Sequence, residues 1–305
     1  GDRDPPGWYV THPSELVGDD QGVDNIDGDT TVKLHELWYQ HTWDKVHTSL
    51  LFGLHDYNSE FHVLHHAGVF VNSSFGLSRE ISQTGPSVFP TTSLALRAAY
   101  HAPRGAYLLG GVYDGVPGDP EDAHGTHIIL RHNDGLFYGL EAGIAAPGAP
   151  DSDPKYFKAG IGWWRHTTDF TDDHDVLHGG HAGVYVLFEH AIGARMAGFF
   201  KVGNADADRS RIGRFYAAGV TFAGLWHGHG EDVLGLGVVQ ARNTHAHLQA
   251  NPDLLRAETV LELAYYYPVS RGVSVHPDIQ YVIHPGMDPA LDNAIVIGLR
   301  VKLEI

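Results

Sequence analysis

The residues best suited to chemistry by type and spacing are five cations, Arg97, Lys158, Lys201, Arg300 and Lys302, and five carboxylates, Glu141, Glu189, Glu262, Asp278 and Glu304. Most share a parity with small or polar residues and lie opposite an apolar parity, in segments of alternating character. His276 and Gln280 fall on the same parity, and each can donate or accept a hydrogen bond. A row of such side chains exchanges hydrogen bonds with the hydroxyls of a small polar solute as readily as water does. Any single one is more often a structural charge paired with a neighbour, so the expectation attaches to the group.

Histidine is abundant, with 23 residues. His174, His178 and His181 sit in DDHDVLHGGH, and His65/His66, His227/His229 and His245/His247 form pairs. Neutral imidazoles so close together, with Asp172, Asp173 and Asp175 nearby, can hold zinc or copper. These clusters fall between strand-like segments and include no HExxH arrangement, so no dedicated metal and no cofactor is expected. A module capturing a metal or a partner through His/Asp-rich loops is the alternative reading. Enzyme chemistry is not expected, because no GxSxG elbow or defined nucleophile-base-acid constellation occurs.

The elements that must position these side chains are strands. From Thr31 onward, segments of about ten residues alternate apolar with polar or small positions and close on Gly, Asp, Asn or Pro. At the C-terminus, Ile295, Ile297, Leu299, Val301 and Leu303 face one way, and Ala294, Val296, Gly298, Arg300 and Lys302 the other. Before them, Val273, Val275, Pro277, Ile279 and Tyr281 oppose Ser274, His276, Asp278, Gln280 and Val282. The same split puts Leu94, Leu96, Ala98 and Tyr100 opposite Ser93, Ala95, Arg97 and Ala99.

A soluble sandwich also alternates, but it keeps charges outside and aromatics off the ends of apolar faces. Tyr100, Trp163, Trp226 and Tyr265 at such ends suit interfacial girdles. No stretch approaches the roughly 18 apolar residues of a spanning helix, so any crossing is by strands.

Composition narrows the partners. With 37 acidic and 20 basic residues, the net charge of -17 opposes nucleic acid. Zero Cys removes disulfides and thiolate sites. The first four residues, Gly1 to Asp4, carry no basic or apolar export region, so a mature or trimmed chain is expected. The Gly-rich stretches GLHDYN, LLGGVYDG, AGIAAPG and VLGLGVVQ lack the helix and Lys-Ser/Thr pair of a phosphate loop. Their small residues are expected to make room for bulky neighbours or for a loop folded into the interior around 77–90.

Separated motifs then carry a resemblance. SLLFGLHDYNSEFHVLHHAGVFVNSSFG at 49–76, VFPTTSLALRAAY and YLLGGVYDGVPGDP within 88–120, GFFKVGNA at 198–205, ETVLELAYYYPVS at 258–270, and HPDIQYVIHPG followed by NAIVIGLRVKL resemble the OprB-type carbohydrate-selective porin family. The likeness runs in order from about residue 20 to the C-terminus. It implies a barrel of the bacterial outer membrane, sixteen-stranded in the family, that passes small sugars or polyols down their gradient. Two departures stand out. Family members carry further strands before the segment matching VKLHELWYQ, and outer-membrane barrels typically end on an aromatic where this chain has Ile305.

The expected architecture is all-β: an irregular lead-in over 1–30, with a helical turn near Ser14 to Val17, then an antiparallel transmembrane β-barrel of about 14–16 strands over 31–305. The partners expected are sugars or polyols and outer-membrane lipid. Homo-oligomerisation is left open.

Overall fold

Strict alternation over 7 to 15 residues, punctuated by turn residues, gives a strand at almost every expected place. The computed structural model describes residues 12–303 apart from 29–31, 120–121, 123–125, 127, 147, 149, 151–152, 173–175 and 226–230. His174, His227, His229, Trp226 and Glu304 therefore lie outside the described residues.

The strands are β1 (Leu37–Trp43), β2 (Thr48–His55), β3 (Ser93–His101), β4 (Ala106–Asp114), β5 (Leu136–Ala145), β6 (Phe157–Thr171), β7 (Leu177–Ala191), β8 (Met196–Ala205), β9 (Ile212–Ala223), β10 (Val233–Asn243), β11 (Ala257–Ser270), β12 (Val273–Ile283) and β13 (Ala294–Leu303). Each pairs antiparallel with the next, making one sheet in strict chain order. Among the described residues that makes thirteen strands; β1 and β13 are the two edges, and the sheet is not closed between them. A lead-in helix, α1 (Pro13–Val17), stands at the expected helical turn. Among the described residues no helix is long and apolar enough to cross a membrane.

Burial decides which face meets what. Ile297 is 77% exposed and Leu96 50%, and the outward row of β13 is apolar throughout. Arg97, Glu141, Glu189, Lys201, Glu262 and Gln280, on the opposite parity, are buried. A soluble barrel would reverse this arrangement, because exposed apolar rows and enclosed charges both cost free energy in water. The sidedness is that of a wall facing lipid with a polar interior.

Connections differ at the two ends of the wall. β7 reaches β8 and β11 reaches β12 through tight turns in which Gly193 and Gly272 take φ of 72° and 81°, a region open to glycine without Cβ strain. The opposite end carries the long segments 56–92, 115–135, 244–256 and 284–293. The first of these folds inward. Tyr57, Phe61, Leu64, Phe70, Phe75, Leu77 and Ile81, all buried, make it the centre of the hydrophobic core, and it carries two short helices, α2 (Ser73–Gly76) and α3 (Arg79–Ser82). The inward segment thus begins some twenty residues before the 77–90 stretch expected to fold in.

Candidate functional site

The interior is built on a repeated contact between wall carboxylates and amides of the inner loop. Where the loop turns, neighbouring N–H groups point the same way and form a small anion-binding nest. Glu189 on β7 accepts from His65 N at 3.1 Å and His66 N at 2.9 Å. Glu262 on β11 accepts from Val71 N at 2.6 Å and Asn72 N at 3.0 Å, just ahead of α2. Glu258, four residues earlier on the same face of β11, does the same for the lead-in, with Asp20 N at 2.8 Å and Gln21 N at 3.0 Å. Glu141 on β5 takes His62 N at 2.8 Å, while the hydroxyls of Tyr107 and Tyr185 donate to it at 2.9 and 2.7 Å.

Wall cations serve the loop's carbonyls. Lys201 on β8 donates to the oxygens of His62, Phe75 and Gly76 at 2.9, 2.7 and 2.7 Å. Lys158 on β6 donates to Val63 O at 2.7 Å and lies 3.4 Å from Glu141. Acids on the wall thus hold the loop's donors and bases its acceptors, which meets the requirement that buried polar groups be paired.

The remaining expected side chains divide by place. Gln280 donates to Val23 O at 2.7 Å and to Asp278 at 3.0 Å, and accepts from Asn72 at 3.2 Å. Arg300 donates to Asp24 at 2.6 Å and Asn25 at 2.8 Å of the lead-in. Arg97 meets Glu60 of the inner loop at 2.5 Å and donates to Gln40 and Ser49 across β1 and β2 at 2.5 and 2.7 Å. His276, Arg300 and Lys302 line a cavity of about 880 Å³. The expected group is therefore inside the wall as a group, with Glu141, Lys158, Glu189, Lys201, Glu262 and Gln280 occupied by the loop and lead-in.

Glu258 shares the inward parity of Glu262 four residues along ETVLE, a signal that could have found it. Glu60, Glu80, Asp20, Arg79 and Arg211 had no such signal, since they lie in irregular or tertiary-specified positions. Arg79 grips Asp20 at 3.0 Å and Arg211 joins it, so although burial pushes the Asp20 carboxyl up, the two guanidinium groups hold it below its usual range. Its neighbour Asp19 has no such offset, and burial raises it to about 6.

The histidine clusters are dispersed into local contacts. His178 pairs with Asp172 at 2.8 Å, His181 stacks on Phe170 and meets Ser210 at 3.1 Å, and His66 meets Glu189 at 2.8 Å. Among the described residues no three His, Asp or Glu side chains converge as a metal site.

A serine does contact a histidine. Ser78 Oγ lies 3.0 Å from His62 Nε2 and donates to Glu80 Oε1 at 2.7 Å. All three are sealed from solvent. Burial raises Glu80 to about 7, and burial together with Lys201 keeps His62 well below its usual value. The trio ties α3 to the loop.

Glycines on the wall open the space the loop fills. A Cβ at Gly237 would come within 2.6 Å of Phe75 and 2.7 Å of Phe70, and one at Gly139 within 2.5 Å of Tyr57. What the loop leaves free lies toward the short-turn end. A cavity of about 880 Å³ runs beneath β7 to β13, and two of about 400 and 470 Å³ share Glu60 and His101 beneath β1 to β6.

The profile of the carbohydrate-selective porin, OprB family, matches residues 11–304 of this sequence. The chain belongs to the OprB family. Its fold is similar to the high-pH structure of Pseudomonas putida OprB, with a TM-score of 0.77 at 16% identity over 93% of this chain and 76% of that one. It is also similar to the outer membrane channel DcaP of Acinetobacter baumannii, with a TM-score of 0.53 at 12% identity over 83% and 71%. In sequence, 107 residues are 27% identical to the porin AaxA of Chlamydia pneumoniae, covering 35% of this chain and only 24% of that protein's length. OprB-family membership places the chain in the outer membrane, as expected from its wall.

Proposed function

We propose that this chain forms a passive outer-membrane channel for small sugars or polyols. The observation that carries the reading is an inward polar wall enclosing cavities of about 400 to 880 Å³ beside a fixed inner loop, in a chain of the OprB family. These volumes match the roughly 300–1,000 Å³ of sites that take small molecules. Flux through such a passage requires binding weak enough to release, and Glu60, Gln40 and His101 offer exchangeable donors and acceptors at the cavity walls.

Short turns face the periplasm in barrels of this class, so the cavities are inner vestibules and the long segments face outward. No covalent step is part of this reading; solute moves down its gradient while the inner loop narrows the bore. Lipid contacts the apolar rows of the wall.

Liposome swelling with purified protein tests the proposal, comparing glucose, a disaccharide and an uncharged solute of matched size. Fast entry of glucose over the matched control is the expected result. No entry of any solute through folded protein would overturn it.

A further inference from the structure

The lipid side of the wall turns cationic where β8, β9 and β10 reach the long-segment end. Arg214 shares its parity with the exposed Val220, and Arg242 shares its own with the exposed Leu236. The two arginines stand directly opposite each other on β9 and β10, and Asn204 of β8 is the partner of Arg214 on its other side. Arg256, exposed just before β11, joins them. With His245 and Leu248 of a short helix, α4 (His245–Ala250), the three guanidinium groups line a cleft of about 290 Å³ that no carboxylate lines. The acids along the same stretch are engaged elsewhere: Asp206 accepts from Ala182 N at 3.1 Å, Asp208 lies 3.9 Å from Arg209, and Glu258 holds the lead-in. Among the described residues Asp253 pairs with none of the three arginines.

We propose that this cleft binds the phosphorylated headgroup of an outer-leaflet glycolipid, with the guanidinium groups on its phosphates and its acyl chains along the apolar rows below. The channel reading above supplies only the orientation, which sets the long-segment end at the cell surface. Like charges directly opposite on neighbouring strands repel, so Arg214 and Arg242 call for an anion between them. Charge on a lipid-facing parity costs least at the membrane interface, which is the level of phosphate headgroups. A guanidinium takes a phosphate in two parallel hydrogen bonds, Asn204 can meet sugar hydroxyls, and Leu248 offers apolar contact. Continuity of the cleft with the lipid-facing rows favours an anchored phosphate over a free one.

Native mass spectrometry of the full chain in a non-ionic detergent, titrated with bisphosphorylated lipid A, tests this. Lipid A should stay bound, and dephosphorylated lipid A should bind about tenfold more weakly. Exchanging all three arginines, Arg214→Gln with Arg242→Gln and Arg256→Gln, should weaken lipid A by about tenfold at an unchanged melting temperature. Arg271→Gln, in the exposed β11–β12 turn at the opposite end, should bind lipid A as the parent does. Equal binding of the two lipids, a triple variant that holds lipid A like the parent, an equal loss in Arg271→Gln, or displacement by an equal concentration of inorganic phosphate overturns the inference. Glucose swelling on the same preparations reads the channel separately: its absence sinks the channel reading and leaves the lipid result as measured.

Discussion

The carboxylate of Glu189 receives both the backbone N–H of His66, at 2.9 Å, and its imidazole Nδ1, at 2.8 Å. One wall side chain therefore fixes a residue of the inner loop by main chain and side chain together. Replacement by Ala removes the acceptor of the His65 and His66 N–H groups beside the cavity that both residues line, at a cost of about 1–2 kcal/mol. Glu189→Ala should show faster hydrogen exchange at those two amides and noisier open-channel current, with the outer wall's exchange unchanged. Equal protection in both proteins would refute the role.

Lys201 holds three loop carbonyls from a fully buried position. Lys201→Met keeps the stem and removes the donors, so chemical unfolding should show a loss of about 2–3 kcal/mol, because buried loop carbonyls lose their hydrogen-bond donor while the cost of burying the ammonium is relieved. An unchanged midpoint would show that water replaces the ammonium.

Gly237 gives its space to Phe70 and Phe75. Gly237→Val drives side chain into both rings and should cost about 1–3 kcal/mol through overpacking. The outward neighbour Leu236, 54% exposed, should tolerate Ala with little change in detergent. Comparing the two melting temperatures checks that the inner loop, rather than the wall, is the sensitive partner.

Arg97 ties Glu60 of the inner loop to Gln40 of β1 beside the cavity of about 470 Å³. Arg97→Ala widens that passage, and single-channel conductance should rise roughly twofold with weaker discrimination between glucose and a disaccharide. A conductance equal to that of the unmodified protein would place the narrow point elsewhere.

Glu80 titrates near 7 in the folded chain against an ordinary value of 4.5, because burial disfavours its charge. The folded state therefore binds the proton more tightly than the unfolded one. Its contribution to stability is complete below about 4.5 and is lost as pH rises through about 7. Glu80→Gln should flatten this part of the stability profile, so its melting temperature gains on the parent between pH 5 and 8. Parallel profiles would exclude Glu80 as the titrating group.

The alternation of β3, β12 and β13 revealed the wall and which side chains point inward, because a period of two leaves only two assignments and three charges on one face settle them. Small residues in VLGLGVVQ correctly signalled bulky occupants, now seen as Phe70 and Phe75. The full extent of the inner loop was harder to read: 56–76 carries the same aromatics a strand would, and only tertiary contacts turn them inward. The pairing of Glu189 with His66 was equally hidden, since no local pattern links residues 123 apart.

That separation sets an order of assembly. The inner loop and the lead-in enter the chain before nearly all of the wall that secures them, with Asn72 190 residues ahead of Glu262 and Gln21 237 ahead of Glu258. Closing such distances is slow and brings no reward until both ends are in place. The loop's contacts with Glu189 and Glu262 can therefore form only once β7 and β11 have joined the sheet, so the interior around the loop takes its final shape late in assembly.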